Sequence, residues 1–329
     1  MRKWFLRGLL ALLGVLGLAF LIFRTPDTDP AEMRAKYGGP PSQFVEIGDG
    51  VKVHLRDEGP RDAPAIILLH GSNADLHTWE PWVQVLKGKY RVIRFDQIGH
   101  GLTGPDPRED YSTASFVADI GEVADRLGLK TFILGGNSMG GKHALAYAIA
   151  HPERLTGLVL VDGSGGPMLK IARLEKDKKD SGNIGFTIAR MPGVNLIAEQ
   201  ITPRSLIQQS LEQSVSVKSV ASPAAVDRYW ELLRYPGNRR ATLARFSQPY
   251  DPLKAEDIAK VQTPTLILWG EEDRIIPVEA GQWLAKTLPA NELHIYPGIG
   301  HLPHEEAPAK TLADLETWLA QHAPPPKQG

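Results

Sequence analysis

The stretch Gly136-Asn137-Ser138-Met139-Gly140 has the residue types and spacing of a nucleophile turn. It follows an apolar strand pattern ending at Leu134 and precedes a helical pattern opening at Met139. Glycines two before and two after the serine permit a tight strand-to-helix turn, and the hydroxyl it holds out lies at a helix N-terminus, where developing negative charge is favoured. Such a hydroxyl is a weak nucleophile at neutral pH, so it needs a base beside its proton and an acid that fixes the base's tautomer. Trp269-Gly270-Glu271-Glu272-Asp273-Arg274 and then Gly298-Ile299-Gly300-His301 supply these in the chain order serine, acid, histidine. Glu271, Glu272 and Asp273 all offer a carboxylate there, and His304 lies three residues beyond His301.

These loops need strands to present them. Phe44–Ile47 and Val51–Arg56 flank Gly48-Asp49-Gly50 and read as an opening hairpin. Short apolar runs then recur at Ala65–Leu69, Arg91–Phe95, Thr131–Leu134, Leu158–Val161, Thr265–Trp269 and Glu292–Tyr296. Between them lie helical patterns at Trp79–Leu86, Thr113–Leu127, Met139–Ala150, Val278–Thr287 and Ala309–Gln321. This alternation predicts an α/β fold, a mostly parallel sheet covered by helices on both faces. About a hundred residues between Val161 and Thr265 interrupt it with helical patterns such as Arg204–Val217 and Pro223–Arg234. A helical insertion there would cover the carboxyl ends of the strands, where open α/β sheets bind ligands. The expected organisation is therefore a core of 43–163 and 262–322, a helical cap over 164–261 after the sixth strand, and a flexible tail at 323–329.

At the N-terminus Arg2, Lys3 and Arg7 precede an uncharged apolar run from Gly8 to Phe23, which Trp4-Phe5-Leu6 extend. No small-residue cleavage site follows, so 1–24 reads as an uncleaved signal anchor spanning the membrane through residues 4–23, with the body on the extracytoplasmic side, and secretion after signal cleavage is the alternative. Residues 25–42, rich in proline, glycine and charge, read as a linker.

Composition narrows the chemistry. A chain of 329 residues with 42% hydrophobic content can bury a sizeable core, and a net charge of -1 provides no field to recruit nucleic acid. The absence of cysteine excludes thiolate catalysis and cysteine-bearing metal sites, and the ten histidines form no zinc-binding pattern, so neither cofactor nor metal is expected. Gly99-His100-Gly101-Leu102-Thr103-Gly104 matches a dinucleotide fingerprint in form, but Pro105 and Pro107 follow where that fingerprint needs a helix N-terminus. A turn is the reading. Lys176-Asp177-Lys178-Lys179-Asp180 alternates in sign, as on a solvated surface.

From Phe44 to Gln321 the sequence resembles the α/β-hydrolase superfamily: besides the serine turn it has His70-Gly71-Ser72 after the third strand, Asp96-Gln97-Ile98-Gly99-His100-Gly101 after the fourth, and the acid and histidine loops. The resemblance implies Ser138 as nucleophile, Asp273 as acid by the Gly-x-x-Asp spacing, His301 as base, and the backbone N–H groups of Ser72 and Met139 as the oxyanion hole. Asp162 occupies an alternative acid position of some relatives, while His70 and His100 are expected to orient loops.

A serine nucleophile points to acyl transfer to water, with a small-molecule ester or related acyl compound as partner. Asn137 and Met139 followed by Gly140-Gly141 resemble the corresponding turn of carbon–carbon bond hydrolases that act on ring-fission products. The oxyanion loop departs from theirs in reading Ser72-Asn73-Ala74-Asp75 rather than a glycine run, and Leu302 stands where they have tryptophan. Ester hydrolysis is therefore the first expectation and carbon–carbon hydrolysis the second, with a non-catalytic membrane-anchored binding protein as the contrasting class. Substrate choice is expected in the cap, whose apolar residues include Ile171, Phe186, Ile188, Met191, Leu196, Ile197, Tyr229, Trp230 and Leu233.

Overall fold

A computed structural model describes residues 2–167, 199–249 and 251–323. The cap residues from Ile171 to Ile197 named above, the 176–180 charge cluster and nearly all of the 323–329 tail lie outside the described residues.

Eight strands form one sheet in the order β1-β2-β4-β3-β5-β6-β7-β8. β1 (Ser42–Glu46) and β2 (Lys52–Glu58) make the antiparallel hairpin, and β2 pairs antiparallel with β4 (Arg91–Phe95). The remaining pairs, through β3 (Ala65–Leu69), β5 (Phe132–Asn137), β6 (Leu155–Val161), β7 (Thr265–Gly270) and β8 (Asn291–Tyr296), are parallel. Every residue of β3, Ala-Ile-Ile-Leu-Leu, is buried, as a strand covered on both faces must be.

The period of two divides the core. Ile67 and Leu69 point to one side with the helices α4 (Thr113–Arg126), α5 (Met139–Ala150) and α10 (Val278–Thr287). Ile66 and Leu68 point to the other, against α3 (Glu80–Leu86) and α12 (Pro308–His322) through Trp82, Val83, Leu315 and Trp318. The α4 helix begins where Ser112 accepts the Ser115 N–H at 3.2 Å, a side-chain cap.

Between β6 and β7 the described residues are helical: α6 (Arg204–Ser214), α7 (Pro223–Leu233), α8 (Asn238–Ser247) and the single turn α9 (Ala255–Ile258). The sequence pattern marks α6 and α7 but misses α8, because Asn-Arg-Arg-Ala-Thr-Leu-Ala-Arg-Phe-Ser carries few large apolar residues and buries only its first turn.

The N-terminal helix α1 spans Arg2–Phe23, of which Trp4–Phe23 is long and apolar enough to cross a membrane and none is buried against the body. The linker expectation for 25–42 requires correction. Asp29 caps a helix, α2 (Pro30–Tyr37), by accepting the Ala31 N–H at 2.7 Å, and Met33 is 2% exposed among Leu102, Leu232 and Tyr235. Proline and charge here mark a capped helix start rather than an unstructured tether, and Ser42 already belongs to β1.

Candidate active site

The loops after β3, β4, β5, β6, β7 and β8 converge at the carboxyl edge of the sheet. After β5 the chain turns sharply into α5, and Ser138 at the corner has φ 52 and ψ -116, a conformation side chains rarely adopt. The flanking glycines are steric requirements: a Cβ on Gly136 would lie 2.3 Å from the Gly140 carbonyl carbon, and one on Gly140 would lie 2.4 Å from the Leu69 oxygen. Asn137 donates its side-chain amide to the main-chain oxygens of Val161 and His301, each at 3.1 Å, so the serine turn is fastened to the histidine loop.

His301 follows β8 and is buried. Its Nδ1 lies 2.7 Å from Asp273 Oδ2. Asp273 Oδ1 accepts the N–H groups of Ile275 at 2.7 Å and Ile276 at 3.0 Å, so three N–H groups converge on one carboxylate. Of the competing acids, Glu271 and Glu272 are exposed, whereas Asp162 is buried beside the pair: ligand atoms of Asp162, Asp273 and His301 all lie within 4.8 Å of one another. The facing atoms of Asp273 and His301 are engaged with each other, and Asp162 lies beside the pair. His304 is buried elsewhere, stacked on Trp79 at 4.2 Å with Nε2 2.9 Å from Thr78 Oγ1, and burial pushes its pKa down to about 3.

Ser72 and Met139 are in side-chain contact, with Ser72 Oγ 3.4 Å from Met139 Sδ, and the adjacent Gly71 approaches so near that a Cβ there would be 3.1 Å from Ser138 Cβ. His70 orients this loop. Its Nδ1–H donates to Gly71 O at 2.7 Å while Nε2 accepts the Gln97 N–H at 2.9 Å, and burial lowers its pKa, keeping the ring neutral. His100 is likewise held neutral by burial, donating through Nδ1 to Ile98 O at 3.1 Å and accepting from Arg245 Nη1 at 2.7 Å. The Gly99–Gly104 segment is a closed turn, with the Gly99 N–H on Gly104 O at 2.6 Å.

Two residues escape the sequence reading. Arg245, on the unrecognised α8, stands 3.1 Å from Met139 Sδ, and burial lowers its pKa to about 10. Glu306, in the single-turn helix α11 (Pro303–Glu306), accepts the N–H groups of Gly300 and Leu302 at 3.1 Å each, of Ser216 at 2.7 Å and of Val217 at 2.9 Å. Neither lies in a motif; only the tertiary fold reveals them.

Ser138 and His301 open into a cleft of about 600 Å³, part of it solvent, lined among the described residues by Gly71, Ser72, Asn73, Asn137, Ile207, Leu211, Tyr229, Leu233, Ile275 and Leu302 as well. No lysine, arginine or carboxylate is among those walls. Arg228, on the same helix as Tyr229 and Leu233, is held instead by Asp75 at 3.1 Å.

Residues 64–308 match the family model described as alpha/beta hydrolase fold. The chain is similar to the 2-hydroxymuconate semialdehyde hydrolase of Pseudomonas putida, 30% identical over 294 residues, covering 85% of this chain and 97% of that one. Among solved structures, a meta-cleavage product hydrolase from Pseudomonas fluorescens superposes with a TM-score of 0.73 at 22% identity over 85% of this chain and 97% of that one. A bacterial membrane phospholipase A does so with a TM-score of 0.66 at 24% identity, covering 98% of this chain and 99% of the other.

Proposed function

The chain belongs to the α/β-hydrolase fold family, and on that premise we propose that it hydrolyses an uncharged carboxylic ester through an acyl-enzyme on Ser138. His301 Nε2 takes the Ser138 proton as Oγ attacks the ester carbonyl, and the ring's other nitrogen keeps its proton on Asp273. The tetrahedral oxyanion is held by the N–H groups of Ser72 and Met139. The imidazolium then protonates the departing alcohol, and water, activated by the same histidine, releases the acid.

The observation that carries the ester reading is that the described walls of the cleft hold no lysine, arginine or carboxylate. A carboxylate-bearing substrate gives up its hydration at a cost unless a cation or several converging hydrogen-bond donors receive it. Arg228, on the helix that lends Tyr229 and Leu233 to the cleft, already serves Asp75, and Arg245, beside Met139, is turned onto His100 and Met139 Sδ. The second reading rests on the sequence relatives, whose names favour carbon–carbon hydrolysis of ring-fission products, the alternative expected from the Asn137-Ser138-Met139-Gly140-Gly141 turn. The same nucleophile set would serve it. We place α1 in the membrane as an uncleaved anchor with the N-terminus cytoplasmic, a reading supported by its length and by the coverage of the membrane phospholipase. The proposed division is a core of 43–163 and 262–322 with a cap of 164–261.

Full-length protein in detergent, assayed on p-nitrophenyl esters from acetate to palmitate and on 2-hydroxy-6-oxo-6-phenylhexa-2,4-dienoate, separates the readings. Ester turnover lost in Ser138→Ala and exceeding dienoate turnover supports the first. Dienoate cleavage without ester turnover selects the second. Inertness of both proteins, with no labelling by a fluorophosphonate, returns the chain to the class of binding proteins.

A further inference from the structure

Asp162 directly follows β6, is fully buried, and adopts φ 44, a left-handed conformation uncommon for a residue with a side chain. Its backbone N–H donates to Leu268 O at 3.0 Å and its Oδ1 accepts the Gly270 N–H at 3.1 Å. Oδ2 is buried with no donor aimed at it. A buried carboxylate oxygen left in that state carries a desolvation cost, so it calls for an explanation.

The explanation lies across the gap. Asp273 and Asp162 present carboxylate oxygens within 4.8 Å of each other, and both residues are 2% exposed or less. The other titratable groups facing Asp162 are His301, Glu306 and Tyr296, and only the histidine can carry positive charge. Two carboxyl groups this close and this dry do not both ionise. Which one keeps the proton follows from the donors: Asp273 receives three N–H groups, from Ile275, Ile276 and His301, whereas Asp162 receives one. Hydrogen bonds to the charged form favour ionisation, so the charge belongs on Asp273.

We infer that Asp162 is a neutral carboxylic acid whose Oδ2–H donates to Asp273, making it a positioning residue that tempers the field Asp273 exerts on His301. The inference rests on the proposed roles of Asp273 and His301. Burial first, and the neighbouring Asp273 second, raise the Asp162 pKa well above the ordinary carboxyl range, in keeping with the donor count. The proton gives the orphaned oxygen its partner and adds a fourth donor to Asp273. Without it, Asp273 would be a stronger base and would hold the histidine proton more tightly.

The test reads the His301 imidazole directly, by NMR titration of ¹⁵N-histidine-labelled full-length protein in detergent, with His301→Gln to assign the signal. Asp162→Asn replaces a neutral donor by a neutral donor, so the His301 pKa should stay within about 0.3 unit of wild type. Asp162→Ala removes the donor and should raise it by roughly 0.5 to 1 unit. A fall of about 1 unit or more in Asp162→Asn would mean that Asp162 carries a charge, and the inference is then wrong. An unchanged His301 in a folded Asp162→Ala protein of lower melting temperature assigns Asp162 a purely structural role and also overturns it. If Asp162→Ala does not fold, Asp162→Asn decides alone. Ester hydrolysis is scored separately, so an inactive wild type counts against the proposed function and leaves the titration readable.

Discussion

Glu306 brackets His301: one carboxylate oxygen accepts the N–H of the residue before the histidine and the other accepts the N–H of the residue after it, both at 3.1 Å. The same side chain also receives Ser216 and Val217 from the insertion, and His301 itself donates its main-chain N–H to Ser214 O at 2.9 Å. One buried carboxylate thus fixes the loop that carries the histidine and the stretch just after α6. Glu306→Ala leaves four N–H groups without their acceptor, and should cost about 3 kcal/mol or more in urea unfolding. Glu306→Gln, which presents an amide to donors on both sides, should lose less, and in both variants kcat should fall more than KM rises.

Asp273→Asn keeps an oxygen for the Ile275 and Ile276 N–H groups but turns an N–H toward His301 or forces the ring into the wrong tautomer. The expected outcome is a loss of about 10³ to 10⁴ in kcat on the best ester with a melting temperature close to wild type. A variant that keeps full activity would remove Asp273 from the mechanism.

The site was legible in the sequence wherever a local rule forces a residue. Gly136 and Gly140 are required by contacts below 2.5 Å, and the turn between them marks Ser138. Strands buried on both faces announce themselves as apolar runs, as β3 does. Glu306 and Arg245 act through partners about 90 residues away or more, or across a loop, and no spacing records that. The 25–42 segment was misread for the opposite reason. Its proline and charge are turn formers in isolation, and only Met33, placed against Leu232 and Tyr235 of the insertion, shows why the segment folds.

Asp119, on α4, is 8% exposed, and its pKa is raised to about 7 by burial, with Asp106 and Glu122 adding repulsion. A carboxyl whose folded pKa lies above its unfolded value binds its proton more tightly in the folded state. The stability that proton contributes is complete below about pH 4 and is lost as pH rises through about 7. Asp119→Asn is neutral throughout. Its stability should exceed that of wild type by an amount that grows above about pH 4 and levels off above about pH 7, reaching a few kcal/mol at most and read as a higher melting temperature. Thermal scans at pH 5 and pH 8 check the sign; equal gains at both would show that charge is not the cause.

The stem between α1 and β1 is bound to the insertion. Thr25 donates its N–H to Gln200 O at 2.9 Å, Arg239 reaches Thr25 O at 2.7 Å and Asp27 at 2.6 Å, and Lys36 and Tyr37 both meet Glu231, at 2.7 and 2.6 Å. α1 itself is not buried against the body. A protein beginning at Arg24 should therefore unfold with nearly the midpoint of the full chain, whereas one beginning at Gln43 loses the stem and exposes Leu102, Leu232 and Tyr235. Met33→Ala isolates the packing part of that loss at about 2 to 4 kcal/mol, the range for emptying a buried methionine site. Because Leu232 lies on α7, which also lends Tyr229 and Leu233 to the cleft, the same variant should raise KM for long-chain esters. An unchanged unfolding midpoint in Met33→Ala would mean that the stem is only loosely laid against the insertion, and full-length and Gln43-start proteins should then share one substrate profile.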